Sequence, residues 1–230
     1  IAEELQPEKS INFNVNHNYK WILDNGFLNF DTSLFYTRFS NQIIGDFETN
    51  DKQIIYENLK EYAESRGVST TLDFVLGKKF RSSIGVTYMD VFKMEEGQKI
   101  QQLLSPKWSG VYTLSYSFTD DFMVDLTGQF YGPMKLPVVE NDFRPEYSPW
   151  FSIANIKLSK KFGKNFEIYG GVKNLFNFTP KNPILRPFDP FDKTADDIVT
   201  NPNGYEFDPE YSYASMQGIR GFLGLTYTIK

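Results

Sequence analysis

The sequence predicts an all-β, antiparallel, up-and-down transmembrane β-barrel, with about nine strands in its 230 residues. Three observations predict it. Large apolar residues alternate with polar ones along segment after segment, helical periodicity is nearly absent, and short connections alternate with long ones. The bulk numbers agree with this. The apolar fraction is 40%, yet mean hydropathy is -0.42, and no apolar run reaches the roughly eighteen residues that a membrane helix needs. A barrel reconciles these values, because only alternate residues of each strand meet lipid and the outer loops are polar. The 14 Tyr and 22 Phe are the amphipathic and apolar side chains such an outer surface requires.

The first strand, near 9–21, places Ile11, Phe13, Val15, Tyr19 and Trp21 on one face. The other face is Asn12, Asn14, Asn16, Asn18 and Lys20, too polar for a dry interior and suited to a wet lumen. Asp24-Asn25-Gly26 then signals a hairpin. A strand near 27–41 sets Leu28, Phe30, Leu34 and Tyr36 against Asn29, Asp31, Ser33 and Thr37. Residues 54–77 read as one long strand carrying Val68, Thr70, Leu72, Phe74 and Leu76 on a face, although Tyr56 to Glu64 also fits a short helix. Further strands are expected near 82–94, 108–118, 122–134, 149–161, 166–177 and 217–230. In the last of these, Leu223, Leu225, Tyr227 and Ile229 oppose Gly224, Thr226, Thr228 and Lys230.

Short connections fall at 23–26, 77–81, 119–121 and 162–165, and long ones at 45–53, 95–107, 135–148 and 178–216. The two kinds alternate strictly. That asymmetry belongs to bacterial outer-membrane barrels, with tight periplasmic turns and long extracellular loops. A soluble sandwich has no reason to keep its long connections at one end. An odd strand count and the absence of a signal peptide before Pro7 lead to the expectation that a preceding part of the protein completes the barrel.

Function classes narrow by exclusion. A net charge of -5 argues against a nucleic-acid partner, which would call for a basic face. With no Cys there is no thiolate metal site, disulfide or thiol nucleophile. The chain has no nucleophile elbow, no phosphate-cradling glycine loop and one His, so an enzyme is not expected and no cofactor is implied. His17 lies on the apolar face of its strand and reads as structural.

The run Tyr169-Gly170-Gly171-Val172-Lys173-Asn174-Leu175-Phe176-Asn177 precedes the terminal strand, which follows Gln217-Gly218-Ile219-Arg220. Leu5-Gln6-Pro7-Glu8-Lys9-Ser10 opens the first strand, and Tyr56-Glu57-Asn58 is followed by Arg66-Gly67-Val68. With these motifs the chain resembles the carboxy-terminal barrel portion of TonB-dependent outer-membrane receptors, particularly those of Bacteroidota, over nearly its whole length. The ending Tyr227-Thr228-Ile229-Lys230 departs from that pattern by lacking a terminal aromatic. The resemblance implies that residues 1–230 are the C-terminal part of a barrel of about 22 strands in the outer membrane of a Gram-negative bacterium. It further implies an N-terminal plug and remaining barrel strands as partners, the TonB complex reached through the plug, and outer-membrane lipid around the barrel. The implied task is uptake of a scarce extracellular small-molecule or glycan ligand, whether iron-siderophore, haem, cobalamin, metal or glycan.

Candidate binding residues lie in the expected outer loops. Trp150, Phe188, Phe191 and Tyr211, with Tyr131, Phe143, Tyr147, Tyr205 and Tyr213, are candidates for a stacking surface, and Arg144 and Arg186 for contacts to anionic groups of a ligand. The competing and favoured reading makes the aromatics an interfacial girdle or loop core. Asp189, Asp192 and Asp196 are weak candidates for a hard cation, against a Pro-stiffened, solvated acidic loop. Gly170 and Gly171 read as sites of close packing. Two rival functions remain on the residues alone. One is a passive porin-like channel. The other is a soluble carbohydrate-binding β-sandwich, which the Asn12 to Asn18 ladder disfavours because a dry core would have to bury it.

Overall fold

Period-two patterning folds here into a meander. The computed structural model describes residues 5–46 and 55–229. Its strands are β1 (Lys9–Leu23), β2 (Gly26–Ser40), β3 (Ile43–Asp46), β4 (Ile55–Asn58), β5 (Tyr62–Leu76), β6 (Phe80–Glu95), β7 (Gln98–Gln101), β8 (Trp108–Thr119), β9 (Phe122–Tyr131), β10 (Phe151–Phe162), β11 (Phe166–Lys173) and β12 (Arg220–Tyr227). In the main sheet the order is β1-β2-β5-β6-β8-β9-β10-β11-β12, with β7 added to β6 and β3 paired with β4 apart from it. Each of these pairings is antiparallel. A meander places alternate connections at the same end, so the turns around 24–25, 77–79, 120–121 and 163–165 share one end and the long connections the other. One continuous main sheet also removes the sandwich reading, which requires two sheets face to face.

Two expectations need correction. The single long strand over 54–77 is two strands, broken where the Leu59 amide donates to the Gln42 carbonyl and the Leu59 side chain becomes buried. The chain there leaves the β3–β4 hairpin and enters the main sheet at Tyr62. The strand expected over 166–177 stops at Lys173, because Asn174 turns into the left-handed region at φ 52°. Most of the long connection expected at 45–53 lies outside the described residues.

Register sorts the side chains into two faces. Tyr19, Phe30, Leu72, Ile84 and Tyr112 stand opposite one another across five strands. Leu114, Leu126, Ile156 and Val172 do the same from β8 to β11. This apolar face is not packed against protein, and Val15, Leu158, Leu223 and Leu225 lie exposed on it. Such a large exposed apolar surface is stable in lipid. His17 sits within it, in register with Thr32.

The opposite face satisfies its polar groups laterally. Asn18 donates to Asn29 at 2.9 Å and to Asp31 at 2.5 Å, and Asn29 donates to Asp31 at 2.6 Å. Ser83 donates to Asp73 and Ser115 to Asp125, each at 2.6 Å. Fixed polar ladders of this kind suit a wet lumen wall and cost little where each group has a partner. At Gly171 a Cβ would collide with the Ile156 carbonyl, so the close approach of β10 and β11 explains that glycine.

Candidate functional site

The buried apolar cluster among the described residues lies at the long-connection end of the sheet: Met134, Leu136, Phe151 and Tyr211, with Phe178 and Tyr213 packed against it. Residues 132–150 fold back on themselves, the Leu136 amide donating to the Glu146 carbonyl at 2.8 Å and the Ser148 amide to the Met134 carbonyl at 3.0 Å. Residues 174–219 pack onto them. The Phe151 and Phe178 rings stack at 4.4 Å, the Tyr211 hydroxyl donates to the Pro145 carbonyl at 2.7 Å, and the Tyr205 hydroxyl donates to the Asn141 carbonyl at 2.6 Å. Together the two loops pack into one cap at the long-connection end of the sheet.

Both ends of the larger loop are pinned by the motif that ends β11. Asn174 is buried; its side-chain amide donates to the Phe178 carbonyl at 2.8 Å and the Gln217 carbonyl at 3.0 Å, while its Oδ1 accepts from the Phe178 amide at 3.0 Å. Asn177, also left-handed, accepts from the Ile219 amide at 2.8 Å. Asn is the non-glycine residue best suited to this task, since it tolerates positive φ and carries both a donor and an acceptor. The sequence marked this motif by resemblance, and the structure supplies its physical reason.

Arg144 lies at the centre of the cap with 1% of its side chain exposed. Its Nε and Nη2 donate to both oxygens of Asp142 at 2.7 to 3.0 Å, Nη2 also reaches Asp208 at 3.0 Å, and the guanidinium lies 4.3 Å from the Tyr211 ring centre. Burial opposes the Asp142 charge, but the side-chain and backbone hydrogen bonds from Arg144 outweigh it and hold the carboxyl below its ordinary value. Burial likewise opposes the Arg144 charge, and Asp142 and Asp208 more than compensate, raising its pKa. Burial raises Tyr211. Of the expected anion-binding and stacking residues, Arg144 and Tyr211 are thus committed to holding the cap together.

Arg186 is similarly engaged. Asp189 accepts from the Thr194 hydroxyl at 2.7 Å, the Thr194 amide at 2.9 Å, Arg186 at 2.8 Å and the Lys193 amide at 3.0 Å. These bonds, that from the Thr194 hydroxyl first, depress the Asp189 carboxyl strongly. A carboxylate so depressed stabilises the loop above its unfolded pKa of about 3.9 and loses that effect only as pH falls through its lower folded value. Asp189→Asn is therefore expected to raise hydrogen exchange of the amides of Lys193 and Thr194 at pH 7, whereas the wild-type loop stays protected down to about pH 4. Equal protection in the variant would show that the carboxylate does not order the loop.

Asp192 accepts from the Phe207 amide at 2.7 Å, and Asp196 is exposed. Among the described residues, no three His, Cys, Asp or Glu side chains converge to hold a metal ion. Phe188 and Phe191 are 77% and 79% exposed on the cap, whereas the Trp150 ring, 58% exposed, lies over Gly132 beside Trp108 and so belongs to the outward aromatic row. The Arg186 guanidinium lies 5.0 Å from the Phe188 ring, and the Lys193 ammonium 5.8 Å from the Phe191 ring. These rings, with Phe143 and Tyr147, are exposed apolar surface of the kind that stacks on flat or apolar molecules. Across β9 to β12 a recess of about 300 Å³ is lined by Asp125, Thr127, Asn155, Lys157 and Lys173 together with the apolar Ile156 and Phe222.

A family model described as TonB dependent receptor-like, beta-barrel matches residues 2–175. No curated protein matches the chain. Among solved structures, the ferric-catecholate import receptor Fiu from K12 E. coli, in its closed form, superposes with a TM-score of 0.66 at 16% identity, over 97% of this chain and 28% of that one. The pyoverdine outer membrane receptor FpvA from Pseudomonas aeruginosa PAO1, bound to pyoverdine, gives 0.65 at 14% identity over 98% and 30%. The siderophore receptor PirA from Acinetobacter baumannii gives 0.62 at 17% identity over 97% and 32%. At these identities the likeness establishes the fold, and the chain spans about three tenths of the length of these receptors.

Proposed function

Since the chain belongs to the TonB-dependent receptor-like β-barrel family, we propose that it forms part of an outer-membrane importer that takes up a scarce ligand with energy delivered by TonB. The carrying observation is the pairing of two surfaces: an outward apolar band, and an inward hydrogen-bonded polar wall topped by a packed aromatic cap. In this reading an N-terminal plug and further strands of the protein close the barrel, and Phe188 and Phe191 offer the first ligand contacts from the exterior. Arg144, Arg186 and Tyr211 serve the ligand indirectly, by fixing the loops that carry those rings. The ligand classes that fit are an iron-siderophore, haem, cobalamin, a metal chelate or a glycan, and siderophore receptors among the solved likenesses favour the first.

The test uses cells producing the whole protein. Recovery in the outer-membrane fraction with a faster-migrating unheated band is expected, together with uptake of one of haem, cyanocobalamin or a ferric catecholate that stops when a protonophore collapses the proton gradient. Uptake insensitive to the protonophore would instead indicate a passive channel, and recovery as a soluble protein would overturn the assignment.

A further inference from the structure

The outward face bears a row of charges set apart from the loop cap. Toward the long-connection end its aliphatic rows give way to aromatics: Phe13 lies beside Tyr36, and Tyr88 beside Trp108 with ring centres 4.9 Å apart. Tyr36 is in register with Arg66, and Arg66 with Asp90; one row further out, Arg38 faces Glu64 and Glu64 faces Phe92. Lys99 on β7 joins the same face opposite Met94.

These residues form one chain of ion pairs across four strands. Arg38 lies 3.4 Å from Glu64, Arg66 lies 3.8 Å from Glu64 and 3.4 Å from Asp90, and Lys99 lies 2.8 Å from Asp90. The carboxylates are buried, with 8% and 9% of their side chains exposed, while Arg38, Arg66 and Lys99 are about half exposed. Three cations over two carboxylates leave one positive charge in excess, and the cations occupy the outer surface. Aromatic rings hold them from behind: Tyr62 at 3.8 Å from Arg38, and Phe92 at 4.1 Å from Lys99.

A cationic side chain on the outward face costs about 2–4 kcal/mol at the bilayer midplane and about 0–1 kcal/mol near its edges. A charged row directly beyond an aromatic girdle therefore marks the headgroup level. Guanidinium groups there have spare N–H donors in the planar arrangement that phosphate oxygens accept.

We propose that Arg38, Arg66 and Lys99 bind the net-anionic phosphate headgroup of an outer-leaflet lipid, with Glu64 and Asp90 fixing the spacing of the cations. The proposal depends on the barrel lying in a membrane and not on what it imports, so the uptake test above leaves it untouched.

The whole protein, purified in neutral detergent, is offered phosphatidic acid or phosphatidylcholine in mixed micelles, and retained lipid is read by native mass spectrometry. Wild type should retain phosphatidic acid at least about tenfold better, since each surface cation contributes roughly fivefold. In the triple variant R38Q/R66Q/K99Q the preference should shrink to about twofold or less, with Lys164→Gln, in a turn at the opposite end, unchanged. Lys99→Gln alone, which leaves the nine-strand meander intact, should lose about fivefold, so the proposal stays testable if the triple variant misfolds. Raised salt should weaken the preference in wild type. Undiminished preference in the variants, or equal retention of both lipids by wild type, would overturn the proposal. Complete displacement by millimolar inorganic phosphate would also do so, by making a free anion the ligand.

Discussion

Replacing Arg144 by Met is expected to unfasten the loop cap, at a local cost of about 3–5 kcal/mol, while leaving strand pairing intact. The cost follows from what remains behind. Met fills much of the volume, but Asp142 and Asp208 keep their charges without the guanidinium that both now share. The readout is limited proteolysis of residues 132–150 and 174–219 in the whole protein, with gel heat-modifiability as the control for the sheet.

The pH dependence is a second signature of the same pair. Asp142 is depressed when folded, so its contribution is present above about pH 3.9 and disappears as pH falls through the folded value. Arg144 is raised, so its contribution is fully present below the ordinary guanidinium range and is lost only above its still higher folded value. Wild-type protection should accordingly be flat between about pH 5 and pH 9. In R144M the stranded Asp142 carboxylate loses the hydrogen bonds that hold it down, and protection should partly recover as it protonates in mild acid. Cleavage of R144M at the wild-type rate would remove Arg144 from its place as the fastener of the cap.

The second large effect concerns the outward face. Leu72→Arg is expected to cost about 2–4 kcal/mol, because Leu72 stands in register with Phe30 and Ile84 in the apolar band. The neighbouring change Thr71→Arg should cost less than about 1 kcal/mol, since Thr71 faces the opposite side and stands opposite Asp31. Urea titration of the heat-modifiable form in bilayers measures both. A larger loss for Thr71→Arg than for Leu72→Arg would mean that the two faces have been assigned in reverse.

Strand positions were readable because each strand face meets a different solvent along its whole length. Asn12 to Asn18 against Phe13 to Trp21 is such a contrast, and register with β2 continues it residue by residue. The break at Leu59 was not readable, because the patterns on either side are both extended and the cause is a hydrogen bond to Gln42 in another segment. The end of β11 at Asn174 was hidden for a related reason. Leu175 and Phe176 continue an apolar run, while the turn is imposed by contacts to Phe178 and to Gln217, 43 residues on.

The candidate residues divide along the same line. Phe188 and Phe191 lie on a loop whose Pro-stiffened character local sequence already implied, but their exposure was not readable there. Arg144 and Arg186 looked equally free in sequence, yet one is fastened to Asp208, 64 residues away, and the other to Asp189 within its own turn. The outward ion-pair row was invisible for the strongest version of this reason, since its members come from four strands and meet only through register. Periodicity in the sequence determined the two-faced strands, and local turn residues and motifs the short turns and the family resemblance, because each of these depends on residues close together in the chain. The tertiary structure alone decided which charges are paired, which aromatics remain exposed and where the charged row lies, because those depend on contacts between residues far apart in the chain.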